Sequence, residues 1–226
     1  MGKGITLNEA FAEAMRAKWP PGCHYLAAVS GGRDSMALLH FLHGAGYRDL
    51  VVCQIDHGLR GETSSGEALF VREKAEGLGY EVELRAVNVA AFSRSEKLSL
   101  ETAARELRYR AFAEIAKKHD CHRLFLAHHA DDRVETVLIN LFRGTGAKGL
   151  AGIEPESSRV VAGVALEMIR PLLSVTSEEI IRYVEGEHIA YREDESNDSD
   201  FALRNRVRNR LMPLLGEIFG RFCIGK

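Results

Sequence analysis

Cysteine is scarce and scattered. The four present, Cys23, Cys53, Cys121 and Cys223, include no C-x-x-C pair. Zinc ribbons, redox dithiols and local iron–sulfur motifs therefore lack a footing, and free, mostly buried thiols are expected. No apolar run approaches the roughly 20 residues that cross a bilayer. Residues 1–9 carry one lysine and no apolar leader core, so a cytoplasmic protein with no membrane partner is expected. An excess of one charge is missing too. The net charge is −2 and the pI about 6.5, whereas a protein that grips nucleic acid by its phosphates alone is usually far more basic. Internal repeats and low-complexity segments are also absent.

The remaining composition is that of a globular chain, 46% hydrophobic and 27% charged over 226 residues, enough for one large domain with an appendage. Basic residues gather at one end. Arg204, Arg206, Arg208, Arg210, Arg221 and Lys226 face only Asp200 and Glu217, which makes that end the first place to look for RNA contact.

Thr6-Leu7-Asn8-Glu9 reads as a capping box opening a helix with Leu7, Phe11 and Met15 on one face, stopped by Trp19-Pro20-Pro21-Gly22. Apolar strand-like runs then alternate with helical patterns. Strands at 25–29, 50–55, 81–87 and 124–127 precede helices near 35–45, 66–78, 99–119 and 131–143. Such alternation implies βαβ units and a parallel sheet. Residues 160–169 read as a hairpin or edge strand. Thr176-Ser177-Glu178-Glu179 is a second capping box, residues 192–200 read as a loop and 204–215 as a helix. The expected architecture is an α/β, doubly wound, mainly parallel sheet with a helical C-terminal tail, divided as 1–22, 23–173 and 174–226.

The strongest local signal is Ser30-Gly31-Gly32-Arg33-Asp34-Ser35 between the first strand and its helix. Two glycines allow a tight turn and close ligand approach. The helix N-terminus offers unpaired N–H groups to an anion, and Asp34 suits either magnesium or a helix cap. The pattern is neither G-x-x-x-x-G-K-[ST] nor G-x-G-x-x-G. Ser-Gly-Gly-x-Asp-Ser resembles the pyrophosphate loop of the PP-loop ATP pyrophosphatases, which cleave ATP to AMP and pyrophosphate.

Further stretches narrow the resemblance. Asp56-His57-Gly58-Leu59-Arg60 leaves the second strand at the end where doubly wound sheets bind ligands. Glu101, Ala104, Arg105, Arg108, Tyr109 and Phe112 share one helix with a buried stripe assigned to Leu100, Leu107, Ala111 and Ile115, and Glu101–Arg105 is also readable as a surface ion pair. His128-His129-Ala130-Asp131-Asp132 leaves the fourth strand, with Glu135-Thr136 following. Its ligand types suit magnesium or substrate handling better than zinc, and Asp131 reads as the helix cap. Arg143-Gly144-Thr145-Gly146, Arg170-Pro171-Leu172-Leu173, Asp194-Glu195-Ser196-Asn197-Asp198 and Arg204-Asn205 complete the set. Together and in order, these motifs resemble the adenylation domain of the tRNA(Ile)-lysidine synthetase family, over about residues 25–215. That family usually continues into C-terminal domains that help to hold tRNA, and the chain is expected to be short of them.

The resemblance implies an adenine nucleotide alpha-hydrolase-like fold and ATP as substrate with Mg2+. Its partners would be L-lysine and the isoleucine tRNA with a CAU anticodon, and a homodimer is compatible with it. The wobble cytidine would be adenylated on its C2 carbonyl oxygen, and the lysine amine would then expel AMP. The implied nucleotide-binding residues are Ser30, Gly31, Gly32, Arg33, Asp34, Ser35, Asp56 and His57. Those implied for the chemistry are Asp131, Asp132, His129 and Arg105, with Asp34 and Asp132 for the metal. The competing readings are a PP-loop tRNA 2-thiolation enzyme and a nucleotide-binding module without catalysis. The first usually needs cysteine pairs, and the Asp/His cluster argues against the second.

Overall fold

The computed structural model describes residues 7–57, 62–193 and 203–220; the side chains of 62–65 and 147–148 are not described. Helix α1 (Glu9–Lys18) begins at Asn8, whose Oδ1 accepts the Phe11 N–H at 3.1 Å. The cap thus lies two residues beyond Thr6, which is outside the described residues. Strand β1 (Tyr25–Ala28) follows, then α2 (Arg33–Gly44), β2 (Leu50–Asp56), α3 (Glu62–Gly77) and β3 (Glu81–Ala86). Next come α4 (Val89–Glu96), α5 (Leu100–Lys118), β4 (Arg123–Phe125), α6 (Ala130–Phe142) and the single turn α7 (Ala147–Leu150). The hairpin β5 (Glu156–Val161) and β6 (Val164–Ile169) leads through a 3₁₀ turn (Pro171–Ser174) to α8 (Ser177–Gly186). The tail consists of α9 (Leu203–Arg206), a π-helical turn (Val207–Leu211) and α10 (Met212–Phe219).

The six strands lie in the order β3-β2-β1-β4-β6-β5, every pair parallel except β5–β6. The order reverses between β1 and β4, which opens a crevice at the carboxyl ends of those strands. Period-2 alternation sends side chains to two cores. Tyr25, Ala27, Leu50, Val52 and Phe125 meet α1, α2, α3 and α8 on one face, and Leu26, Val51, Cys53 and Leu124 meet α5 on the other. The sheet is therefore covered on both faces, as the alternation of strands and helices required.

Local chemistry explains most element ends. Thr176 and Glu179 form the reciprocal capping box of α8. Ala162 and Gly163, both at positive φ (48° and 80°), make the tight β5–β6 turn. Gly144 (φ 71°) terminates α6 just past its C-cap Arg143. Two expectations need correction. Leu100 is 52% exposed and does not belong to the buried stripe of α5. Helix α4 also precedes α5 as a separate element, with the Asn88 side chain accepting the Ala91 N–H. Cys53 and Cys121 are buried free thiols and Cys23 is half-buried; Cys223 lies outside the described residues.

Candidate active site

Strand β1 runs directly into the glycine turn. The Ser35 hydroxyl accepts the Ser30 N–H at 3.2 Å and donates to the Gly32 carbonyl at 2.9 Å, which closes the loop on the first turn of α2. Gly31 has φ +91°, and a Cβ there would meet Val71 Cγ2 of α3 at 3.1 Å. Its carbonyl accepts the Arg192 N–H at 2.9 Å. Gly32 is different, with φ −72° at the N-cap and only Ser30 Oγ near a Cβ, at 3.5 Å. Asp34 does not cap α2; its carboxylate receives Arg33 Nε at 3.1 Å instead.

The loop forms one wall of a cleft of about 660 Å³ at the carboxyl ends of β1, β2 and β4. Ala28, Cys53, Ile55 and Leu126 give it an apolar strip, while Ser30, Arg33, Asp34, His57, Arg108 and His128 supply the polar groups. Such a cleft suits a ligand with one flat apolar end and one anionic end.

The corner between β4 and α6 holds His129, only 3% exposed. Its Nε2 lies 3.6 Å from both Asp34 Oδ2 and Asp132 Oδ2, and its Nδ1 lies 3.4 Å from Asp131 Oδ2. Burial disfavours its charge, but Asp131, Asp34 and then Asp132 outweigh that and lift its pKa to about 10. Burial also pushes the carboxyls of Asp34 and Asp131 upward. His129 opposes it, helped by Arg33 at Asp34 and by the Ser177 N–H at Asp131, and holds both below the usual carboxylate range. His128 is the opposite case, since burial pulls it down to about 4 against the attraction of Asp132. Two adjacent histidines thus carry different charges at neutral pH. His57 is lowered by burial and by Arg108.

The capping expectation at this corner is corrected. His129 occupies the N-cap position, and Asp132 Oδ2 reaches back to accept its backbone N–H at 3.0 Å. Asp131 Oδ2 instead accepts the Ser177 N–H at 2.7 Å and so ties α6 to the start of α8. Arg33 reaches the same place, donating to Ser177 Oγ at 3.0 Å.

Behind the corner, Asp132 and Glu135 (1% exposed) hold the tail. Arg204 Nε meets Glu135 Oε2 at 2.8 Å, Arg208 Nε meets Glu135 Oε1 at 2.6 Å, and Arg208 Nη2 meets Asp132 Oδ1 at 2.9 Å. Both arginines expected to face RNA are therefore turned onto acids of their own chain.

The structure gathers Ser30, Gly32, Arg33, Asp34, Ser35 and His57 into the cleft wall and sets His129, Asp131 and Asp132 beside Asp34. Gly31 supports the turn from behind, and Asp56 sits at the end of β2 without lining the cleft. Arg105 does not enter it. It is exposed on α5, its guanidinium 6.0 Å from the Tyr109 ring, and Arg108 one turn later lines the wall instead. Gly58, Leu59, Arg60 and residues 194–198 lie outside the described residues. Sequence reasoning did not single out Arg108, Glu135, Tyr191 and Arg192 as site residues. The first two sit inside recognised motifs, and a half-buried face shared with Phe112 and an acid one turn after Asp132 were the available signals. Tyr191 and Arg192 carry no local mark; the Arg192 N–H bond to the Gly31 carbonyl brings that segment to the cleft.

A model of the PP-loop domain family matches residues 6–215. Proteins named tRNA(Ile)-lysidine synthase are similar in sequence. Those from Bacteroides thetaiotaomicron, Bacillus subtilis and Chlorobaculum tepidum are each 41% identical, over 88%, 86% and 86% of this chain and 44%, 41% and 57% of their own lengths. The chain thus spans about half the length of the curated relatives it matches. Among solved structures, the U34-tRNA thiolase NcsA from Methanococcus maripaludis superposes with TM-score 0.67 at 16% identity, over 93% of this chain and 73% of that one. The NH3-dependent NAD synthetase from Campylobacter jejuni gives 0.54 at 13% identity, over 92% and 82%. These two likenesses concern the fold.

Proposed function

Because the chain belongs to the PP-loop domain family, we propose that it is the adenylating part of a tRNA(Ile)-lysidine synthase. It would use ATP to activate the wobble cytidine of isoleucine tRNA with a CAU anticodon, and L-lysine to displace AMP. The observation that carries this reading is the junction of the glycine turn with the Asp34–His129–Asp132 cluster at the mouth of one cleft. The likeness to lysidine synthases supports the substrate assignment.

In this reading the N–H groups at the start of α2 bind the pyrophosphate end of ATP, and adenosine lies on the strip of Ala28, Cys53, Ile55 and Leu126. Asp34 and Asp132 bring hard oxygen donors to one point near His129 Nε2. That donor set fits magnesium, which binds through one or two carboxylates plus substrate phosphates and supplies charge neutralisation when bound. His129, set among Asp34, Asp131 and Asp132, orients these carboxylates at the mouth of the cleft. A carboxylate of the Asp131–Asp132 pair not engaged by magnesium would take the proton of the lysine amine, which attacks only when neutral. A thiolation role has less support. Cys53 is the only cysteine in the cleft wall among the described residues, and burial pushes its thiol pKa up, away from the reactive thiolate.

A single-turnover assay with α-labelled ATP and the isoleucine tRNA tests the proposal. Label should appear on the tRNA without lysine and leave as AMP when L-lysine is added. ATP binding with no label transfer to this tRNA would remove the substrate assignment.

A further inference from the structure

Away from the cleft, Glu81, Glu83 and His119 each bring one donor atom to within 4.8 Å of the others. None of the three lines the cleft. Positions two apart on a strand share a face, so β3 presents Glu81 and Glu83 on the same side. His119 is the C-cap of α5, its N–H bonded to the Ile115 carbonyl at 3.0 Å, and its imidazole therefore projects from a fixed backbone. The His24 ring packs beside it, 6.4 Å between centroids.

The separations suit a small ion. His119 Nε2 lies 2.8 Å from Glu83 Oε1 and 3.9 Å from Glu81 Oε1. Two ligands of a tetrahedral zinc ion stand about 3.3 Å apart, which falls between those values. The imidazole selects the class of ion, because hard magnesium and calcium favour oxygen donors alone, whereas zinc and its neighbours take nitrogen.

Two cations already reach Glu83, and they play different parts. Arg85 holds Oε2 at 2.8 Å, the oxygen that His119 does not use, and so orients the carboxylate as outer hydrogen bonds orient metal ligands. Lys118 donates to Oε1, the oxygen a metal would need, but its side chain is 56% exposed. An exposed ammonium can be released to water at small cost. The lysine fills a cation position without using the imidazole lone pair beside it.

We propose that Glu81, Glu83 and His119 form a site for a divalent transition metal of the zinc class, which pins edge strand β3 to the C-terminal end of α5, with Lys118 as its competitor. In the loaded site His119 carries its proton on Nδ1 and offers Nε2. Glu83 offers Oε1, the exposed Glu81 carboxylate turns inward, and water completes the tetrahedron. The Lys118 ammonium moves to solvent. The inference is independent of the nucleotide and lysidine readings.

Calorimetric titration of chelator-treated protein with zinc chloride tests it. H119Q and E83Q should weaken zinc binding by about tenfold or more, as loss of a ligand implies. K118M should act in the opposite direction and tighten zinc by about two- to fivefold, the worth of an exposed ion pair. Zinc should raise the melting temperature of the wild type and leave that of H119Q unchanged. Cobalt chloride should give the visible absorption of tetrahedral coordination in the wild type and not in H119Q. Ions held elsewhere, at the acids of the cleft for instance, are common to both proteins and cancel in this comparison. H119Q and K118M decide the matter should E83Q not fold. Equal zinc affinity in the wild type and H119Q, or no gain in K118M, would overturn the site and leave the cluster as a set of ion pairs.

Discussion

The two glycines of the turn after β1 look interchangeable in sequence, yet they carry different burdens. Gly31 needs its positive φ, and α3 fills the space a side chain would take; Gly32 has an ordinary φ and open room. Gly31→Ala should therefore lower stability by about 1 kcal/mol or more, combining the left-handed strain with the approach to Val71, and should weaken ATP binding. Gly32→Ala should fold as the wild type does. Urea unfolding and nucleotide titration of both variants check this, and equal behaviour would mean that the turn is not shaped as described. The Ser-Gly-Gly-x-Asp-Ser pattern identified the loop, but which glycine is indispensable depends on Phe70 and Val71, some forty residues away. No local reading could supply that.

At the scale of elements, the charge pattern of the tail has an intramolecular use. Alternating arginines over 204–210 suggested an RNA-facing surface, whereas Arg204 and Arg208 clamp the tail onto α6 through Asp132 and Glu135. Arg204→Ala with Arg208→Ala should release the segment 203–220, seen as faster amide exchange there and a loss of about 1.5–3 kcal/mol from the charged hydrogen bonds. The salt dependence of tRNA binding should keep its slope. A flattened slope with unchanged exchange would return these residues to the RNA surface. By the same contacts Asp132→Asn should also loosen the tail.

Elements with strong end signals were readable. The capping box at Thr176 marked α8, and the strand–helix alternation marked β1 to α6. Helix α4 lacks a helical period because its four apolar residues are bunched at 89–92 and its polar ones at 93–96, although the Asn88 cap was a usable mark. The π-helical turn at Val207–Leu211 has no local signature, whereas the i,i+4 spacing that sets Arg208 beside Arg204 on one pair of acids could be read from the sequence.

Across the whole molecule, a second charge cluster lies away from the cleft on edge strand β3. Glu83 is 4% exposed at its side chain and is held by Lys118, by His119 Nε2 at 2.8 Å and by Arg85 at 2.8 Å. Burial raises its pKa, but Lys118 and His119 and then Arg85 prevail and bring it to about 2. A depressed folded pKa stabilises the protein above the unfolded value near 4.5, and that contribution is lost as pH falls toward 2. Glu83→Gln should therefore cost no more than about 3 kcal/mol at pH 7, an upper bound because Lys118 reaches into solvent. The gap from wild type should close between about pH 4.5 and pH 2. Chemical denaturation at stepped pH measures it, and a gap that persists at pH 2 would contradict the linkage.

Trp19, the chain's one tryptophan, lies edge-on to Phe125, 6.4 Å between ring centroids, and donates its indole N–H to Glu156 at 2.9 Å. None of these three residues belongs to the cleft wall. Emission from Trp19 is consequently expected not to respond to occupancy of the cleft. Its emission follows the dismantling of the core behind β4, and a probe for ligand occupancy has to be installed elsewhere. Because Trp19 and the cleft are spatially separate, unfolding curves recorded with and without ATP can be followed in the same emission band, and the displacement between them measures binding free energy.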